Sequence, residues 1–105
     1  MTNEKLEWGP DEGAMPWRAA VAFAADKGDG WRLPTVPELV AQFDYDKGKP
    51  KSEGWKRDWY WSSSPGDSND AWYVDFGYGS VNNGPRTSEY GARCVRSLDN
   101  PRDVD

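Results

Sequence analysis

Residues 58–98 decide the fold, and they read DWYWSSSPGDSNDAWYVDFGYGSVNNGPRTSEYGARCVRSL. This stretch contains three of the seven tryptophans and four of the five tyrosines of the chain. Neighbouring side chains of a strand point to opposite faces, so Trp59 and Trp61 share one face and Tyr60 lies on the other. The alternating aromatic residues therefore predict a strand at the start of the stretch.

A second strand follows after a loop. Trp72, Val74 and Phe76 alternate along it, so these three side chains share one of its faces. Between the two strands, the segment Pro65–Asp70 consists of turn formers and cannot continue a strand. We interpret this loop as a candidate contact surface, because loops on a rigid scaffold commonly carry binding residues.

Two turn signals and a last strand complete the stretch. The Gly77–Gly79 segment suits a tight hairpin because glycine tolerates positive φ angles, and Asn83–Gly84 is an equally good signal. Only one of them needs to form a two-residue hairpin. The run Ala92–Arg96 has apolar positions on both faces, which is typical of a strand inside a sheet. We expect this strand to pair with the strand that contains Trp72.

The first helix is predicted near the N-terminus. Trp17, Ala20, Val21 and Ala24 recur at three- and four-residue spacing, which places them on one face of a helix. A proline suits the first turn, and a lysine followed by glycine marks the end of a helix. The first helix should therefore span about Pro16 to Lys27.

Shorter elements flank this helix. Leu6–Trp8 forms a short first strand, and Gly9–Pro10 turns the chain after it. Further on, Thr35 and Glu38 form a capping box, in which each side chain satisfies a backbone N–H that would otherwise lack a partner. This motif predicts a second, short helix over about Val36 to Phe43.

Length and composition describe one acidic domain. A chain of 105 residues is too short for two separate cores, and its aromatic residues replace an aliphatic core. We expect residues 1–98 to form the domain and residues 99–105 to be a frayed tail. The lone cysteine cannot form an internal disulfide.

Charge and hydropathy exclude several classes of partner. The formal net charge is −5, whereas direct nucleic-acid binding depends on clustered lysine and arginine. No apolar run approaches the roughly 20 residues of a membrane span, and the first residues lack the pattern of a secretory signal. The sequence therefore predicts a cytoplasmic protein that binds neither nucleic acid nor a membrane directly.

The one basic cluster lies in a polar loop that we expect over Asp44–Arg57, with Trp55 as its anchor. Its members are Lys47, Lys49, Lys51, Lys56 and Arg57. Acidic residues are interleaved with them, so we interpret the loop as a solvated surface. The alternative is an anion or partner site.

No residue pattern amounts to a catalytic signature. The chain has no histidine, so Ser-His-Asp, Cys-His and zinc schemes are excluded. Ser62–Ser64 have no base nearby in sequence, and Cys94 lies in a central strand, so we interpret them as structural. Oxygen ligands for a hard cation could come from Asp67, Asn69, Asp70 and Asp75. Their spacing matches no EF-hand loop, and we predict no catalytic residue, no metal ligand and no cofactor.

The aromatic residues divide into core and surface candidates. The tryptophans expected in the core are Trp31, Trp61 and Trp72. Trp59, Tyr78 and Tyr90 lie beside turns, and an exposed ring next to polar side chains is typical of surfaces that bind partners or sugars. The candidate ligand-binding residues are Trp59, Asp67, Asn69, Asp70, Tyr78, Asn82, Asn83 and Arg86.

Several motifs occur in the order of a known family. They are the helix with Trp17, Gly30–Thr35 (GWRLPT), Tyr60–Ser64 (YWSSS), Ala71–Phe76 (AWYVDF) and Arg93–Arg96 (RCVR). In this combination, over roughly residues 6–98, the chain resembles the Lcl C-terminal domain family. The resemblance implies an α+β, C-type-lectin-like fold, in which two short helices pack on a small, mainly antiparallel twisted sheet with long loops. It also implies a likeness in fold to the sulfatase-modifying, formylglycine-generating enzymes, and an origin among small phage or prophage proteins.

Departures from the family pattern narrow what the resemblance implies. Adhesin-type members commonly carry a cysteine in the first helix that would pair with the cysteine matching Cys94. The corresponding residue of this chain is Ala24, so no disulfide is expected. The sugar-binding motifs of calcium-dependent lectins are absent. One cysteine also cannot supply the copper-holding pair of the formylglycine-generating enzymes.

Our leading hypothesis is a non-catalytic interaction module. Its loops, Pro65–Asp70 and Gly77–Arg86, would contact a protein or glycan partner, in the cytoplasm of a host cell or on a virion. The alternative is an acidic, phage-encoded inhibitor that blocks a nucleic-acid-binding host defence protein. An enzyme of the sulfatase-modifying type is a third hypothesis, against which the single cysteine argues.

Overall fold

The computed structural model describes residues 5–98. The elements, in chain order, are β1 (Leu6–Met15), α1 (Trp17–Asp26), α2 (Val36–Val40), β2 (Phe43–Asp44), β3 (Lys49–Pro50), β4 (Trp59–Pro65), β5 (Asp70–Asp75), β6 (Ser80–Pro85) and β7 (Tyr90–Ser97). The predicted tail, residues 99–105, lies outside the described residues. Within residues 5–98, no helix combines the length and the apolar character that a membrane span requires.

Five strands form one mixed sheet in the order β1-β7-β4-β5-β6. Neighbouring strands are antiparallel except β4 and β7, which run parallel and pair at Tyr60 and Gly91. With the two helices, this confirms the predicted α+β class. β7 lies inside the sheet, as predicted, but its expected pairing with β5 is wrong because β1 and β4 flank it. Gly91 permits the close approach of β4, since a Cβ atom there would lie 3.0 Å from the Tyr60 ring.

β1 is longer than the sequence indicated. The expected turn at Gly9–Pro10 is wrong, because the strand continues to Met15 and stays paired with β7, with register shifts on both sides of Asp11. An edge strand tolerates a proline, which has no N–H to donate. Gly9 lies against the indole of Trp31, where a Cβ atom would be 3.3 Å from the ring. The glycine therefore serves packing and not a turn.

Both predicted helices are present. α1 has Pro16 as its N-cap residue, and Gly28 beyond its end takes a φ of +69°. α2 begins at Val36, as predicted, but it ends at Val40. Phe43 begins β2 instead of continuing the helix, because its ring turns into the core and is 2% exposed.

The capping box of α2 is confirmed. The Glu38 N–H donates to Thr35 Oγ1 at 3.2 Å, and the Thr35 N–H donates to the Glu38 carboxylate at 2.8 Å. Arg32 donates two further hydrogen bonds to the same carboxylate, at 2.8 and 2.9 Å. The start of α2 is therefore fixed to the extended connector that precedes it.

We expect Glu38 to make the stability of the domain depend on pH. Hydrogen bonding from Arg32 holds the pKa of Glu38 below its ordinary value of 4.5. The stabilisation is fully present above the unfolded-state pKa and is lost as the pH falls through the lower folded-state pKa. The urea midpoint of unfolding should therefore decrease less between neutral pH and about pH 3 for Glu38→Gln than for the wild type. The exposed Glu53→Gln variant is the control, and a Glu38→Gln midpoint that falls as steeply as the control would contradict the assignment.

The two helices lie on opposite faces of the sheet, and each covers a core. The core under α1 consists of Ala20, Ala24, Leu33, Trp61, Ala71, Tyr73, Ala92 and Cys94, and we call this side the α1 face. The core under α2 consists of Leu39, Phe43, Tyr60, Val74 and Phe76, and we call this side the α2 face. The middle of the sheet is therefore buried from both sides.

The expectation that three tryptophans form the core is correct for Trp61, which is fully buried. Trp31 packs against the α1-face core but is only partly buried, and the expectation is wrong for Trp72, which is half-buried. The register explains the difference, because Trp61 pairs with Tyr73. Paired residues share a face, so Tyr73 is on the α1 face and is 8% exposed.

The polar loop before β4 is anchored as predicted. The Trp55 ring stacks on Phe76 with centroids 4.4 Å apart, and the guanidinium of Arg93 lies 4.3 Å from the indole centroid. The basic side chains of this loop are all exposed, in agreement with a solvated surface. Trp55 thus packs the loop against the α2-face core.

Candidate functional site

The eight predicted ligand-binding residues do not form one site. Asp67 and Asn69 belong to the β4–β5 connection, Asp70 is the first residue of β5, and Arg86 joins them just after the end of β6. Two of the remaining residues, Trp59 at the start of β4 and Tyr78 in the β5–β6 hairpin, lie at the other end of these strands. A strand of this length separates its ends by roughly 17–20 Å.

The predicted contact loop Gly77–Arg86 is mostly a strand. The hairpin turn uses the Gly77–Gly79 signal, with a φ of +78° at Gly79, whereas Asn83–Gly84 lies inside β6. Asn82 pairs with Tyr73 and Asn83 pairs with Trp72. The two asparagines therefore point to opposite faces of the sheet.

Arg86 holds the β4–β5 connection in place. Its Nε donates to the carbonyl of Asp70 at 2.9 Å, and its Nη2 donates to the carbonyl of Asp67 at 3.1 Å. The guanidinium also lies 4.6 Å from the centroid of the Trp17 ring. Its own carbonyl accepts from the Trp17 N–H at 3.0 Å. Arg86 thus fastens this connection to the start of α1.

The four oxygen-bearing cation candidates are not brought together. Asp67, Asn69 and Asp70 lie at one end of β5, whereas Asp75 lies at the other. The Asp75 carboxylate accepts from the Gly77 N–H at 2.7 Å and shapes the hairpin turn. Across residues 5–98, no three His, Cys, Asp or Glu side chains cluster as metal ligands.

The α1 face carries a cluster of aromatic rings that α1 covers only in part. Trp59 stacks on Tyr73 with centroids 5.0 Å apart and an interplanar angle of 16°. Tyr90 meets Trp59 edge-on at 5.1 Å and lies 4.6 Å from Tyr73. Trp61 lies beneath them, 4.6 Å from Tyr90. We call Trp59, Tyr73 and Tyr90 the aromatic surface.

Exposure increases outward across this cluster. Trp61 is fully buried, Tyr73 is 8% exposed, Tyr90 is half-buried and Trp59 is 38% exposed. Buried Gly84 makes room for the tyrosines, since a Cβ atom there would lie 3.1 Å from the Tyr73 ring and 3.2 Å from the Tyr90 hydroxyl. The outermost ring is therefore held in a fixed orientation by the rings behind it.

Polar groups border the aromatic surface. Ser80 and Asn82 are exposed on β6, and the register with Asp75 and Tyr73 places them on the α1 face. Burial raises the pKa of the Tyr73 phenol, and the neighbouring Tyr90 hydroxyl adds to the effect. The Tyr73 hydroxyl thus already has a hydrogen-bonding partner in Tyr90.

Two members of this surface were predicted from the sequence, and the third was not. Trp59 and Tyr90 were identified because they lie beside turns. Tyr73 could not be predicted, because the alternation of side chains along β5 does not say whether α1 covers the face of Trp72 or the face of Tyr73. The pairing of Trp61 with Tyr73 settles this, and no local signal announces that pairing.

Two of the residues that could have suggested covalent chemistry, Ser62 and Cys94, are buried. Cys94 is 1% exposed, and burial raises the pKa of its thiol. Ser62 Oγ donates to the carbonyl of Trp72 at 2.8 Å and accepts from the Ser64 N–H at 3.1 Å. A protonated, buried thiol and a hydroxyl that bonds the backbone are poor nucleophiles.

Comparison with known protein families shows to which family the chain belongs. The sequence profile described as the Lcl C-terminal domain matches residues 2–96. The chain belongs to the Lcl C-terminal domain family. In this Lcl C-terminal domain, Ala24 and Cys94 lie in the same core and the cysteine is free. A search of the curated proteins found no match to it.

Proposed function

We propose that the domain is a non-catalytic binding module that holds a protein or glycan partner on its aromatic surface. The supporting observation is the ring of Trp59, which is 38% exposed yet stacked on Tyr73. Aromatic rings of this kind dominate the binding energy of many interfaces. Because the ring is already fixed, little side-chain entropy is lost when a partner covers it.

Polar neighbours would give the contact its specificity. Ser80 and Asn82 border the rings on the same face, so a partner stacked on Trp59 lies within reach of a hydroxyl and an amide. An apolar platform with a few fixed polar groups is a common form of ligand site. The predicted residues of the β4–β5 connection would form a separate, secondary contact.

We further propose a C-type-lectin-like scaffold of phage or prophage origin, acting in the host cytoplasm or on the virion. Membership of the Lcl C-terminal domain family and the α+β architecture support the scaffold. Binding would not require a cation.

Substitution of Trp59 tests the proposal. The wild-type domain is screened on a glycan array and on an array of host proteins, and each bound partner is then titrated calorimetrically. Trp59→Ala should weaken the affinity by about 30-fold or more, the effect of losing a central aromatic anchor. Phe23→Ala is the matched control, because Phe23 is 39% exposed but lies on α1. Equal affinities of the two variants would contradict the proposal.

The acidic-inhibitor hypothesis makes a different prediction in the same titration. The net charge of −5 favours it, since an acidic surface can occupy the basic site of a nucleic-acid-binding protein. Its affinity would collapse above about 0.3 M salt, where charges separated by more than a few ångströms are screened. An aromatic contact would lose little affinity there. Strong salt dependence with an unaffected Trp59→Ala variant would support the inhibitor instead.

A further inference from the structure

The two edges of the sheet differ in how they are protected. β1, at one edge, carries Pro10, three acidic side chains and two register shifts. β6, at the other edge, pairs with β5 through six consecutive residues with no register shift. Its sequence, SVNNGP, has no charged residue. Charges, prolines and bulges are the usual devices that prevent a sheet edge from pairing with another strand. β1 has all three, whereas β6 has a proline only at its end.

The hydrogen bonds next to β6 show which of its backbone groups face outward. The Arg86 N–H donates to the carbonyl of Asn69 at 2.9 Å, which marks a bonded pair in the register of β5 and β6. Bonded and non-bonded pairs alternate in an antiparallel ladder, so Asn82 bonds to β5. The peptide groups of Val81 and Asn83 then point away from β5, toward the open edge.

Bonds on the far side of β5 agree with this alternation. The carbonyl of Trp72, which lies opposite Asn83, accepts from Ser62 Oγ on β4 at 2.8 Å. The N–H of Phe76 likewise donates to the backbone carbonyl of Asp58, the residue just before β4, at 2.8 Å. The backbone N–H and C=O groups of the even-numbered residues of β5 therefore point toward β4, and those of the odd-numbered residues point toward β6.

We propose that two copies of this chain pair antiparallel through β6, with the two-fold axis at Asn82. In this register Val81 of each copy lies opposite Asn83 of the other. The outward N–H and C=O groups of both residues are then used, which gives four main-chain hydrogen bonds across the axis. The result is a continuous ten-stranded sheet in which Trp59, two strands from the axis, stays open to a partner.

The chemistry of β6 favours a second copy as its occupant. The two-fold axis places Asn82 opposite its own symmetry mate and brings residues 81 and 83 of both copies close to the axis, so a charged side chain at these positions would lie near a like charge and oppose pairing. β6 carries none. The Asn82 amide can both donate to and accept from its symmetry mate. Pairing also covers Val81, which is 38% exposed as part of a single chain.

Cysteine cross-linking tests the register. Asn82 would face its symmetry mate in a non-hydrogen-bonded pair, whose Cα atoms are about 4.5 Å apart, and this distance allows a disulfide. Asn82→Cys should therefore give a covalent dimer under mild oxidation. Asn83→Cys should stay monomeric, because its side chain points to the other face and lies opposite Val81. Cys94 is buried and does not interfere. Equal cross-linking of the two variants, or none for Asn82→Cys, would overturn the proposal.

Sedimentation of uncross-linked protein tests the pairing itself. The wild type should pass from monomer to dimer as its concentration rises to the millimolar range. Val81→Lys places two like charges beside the axis and should remain monomeric throughout. Tyr78→Lys makes the same charge change three residues away, on a side chain that is 84% exposed, and should dimerise as the wild type does. A wild type that stays monomeric, or a Val81→Lys variant that still dimerises, would refute the proposal.

Discussion

Trp61→Ala is expected to lower the free energy of unfolding by about 3–5 kcal/mol. The side chain is fully buried between α1 and the sheet, where it packs against Tyr73 and Tyr90. Its Nε1 donates to the carbonyl of Met15 at 2.8 Å, so the substitution also leaves a carbonyl without its partner. A domain of this size has roughly 5–15 kcal/mol of stability in total. Chemical denaturation followed by far-ultraviolet circular dichroism measures the loss.

Trp72→Ala is the matched control for this prediction. Trp72 is half-buried on the α2 face near the edge of the sheet, so the same truncation should cost clearly less. Equal losses for the two variants would mean that the α1-face core is not organised around Trp61.

Gly79→Ala is expected to cost about 2–4 kcal/mol, the sum of a backbone penalty and overpacking. Gly79 has a φ of +78°, which is strained for any residue with a Cβ atom. That atom would also lie 2.5 Å from Tyr45 and 2.6 Å from Phe43. Both rings would have to move, although Phe43 belongs to the α2-face core. Thermal and urea unfolding of the variant measure the combined cost.

Gly48→Ala separates the two contributions. Gly48 has a φ of +66°, but nothing lies within 4 Å of the position of its Cβ atom. This variant should show only the backbone penalty of roughly 1–2 kcal/mol. If Gly79→Ala costs no more than Gly48→Ala, the hairpin does not pack against β2 as described.

Local signals in the sequence predicted the helices well. The spacing of Ala20 and Ala24, and the capping box of Thr35 and Glu38, act within a few residues and can be recognised without knowing the fold. Strand pairing could not be predicted in the same way. The approach of β4 to β7 depends on Gly91 lying against Tyr60, two residues that are 31 positions apart along the sequence.

The residues of the candidate site were predicted only in part, because their positions also depend on strand pairing. Adjacency to turns correctly placed Trp59 and Tyr78 at the surface, since both are exposed. Turn chemistry did not reveal that one strand length separates the two ends of the sheet. It also did not reveal that Arg86 is engaged by the carbonyls of Asp67 and Asp70. These facts follow from register, which the local pattern does not specify.

The most direct test of the central claim is fluorine NMR of the domain labelled with 5-fluorotryptophan. The chain has seven tryptophans, and a Trp59→Phe variant identifies the Trp59 resonance. Titration with a partner identified in the array screen should shift that resonance. The resonances of Trp8 and Trp55 should not change, because both residues pack against the α2-face core. A partner that shifts Trp8 or Trp55 while Trp59 stays in place would contradict the account.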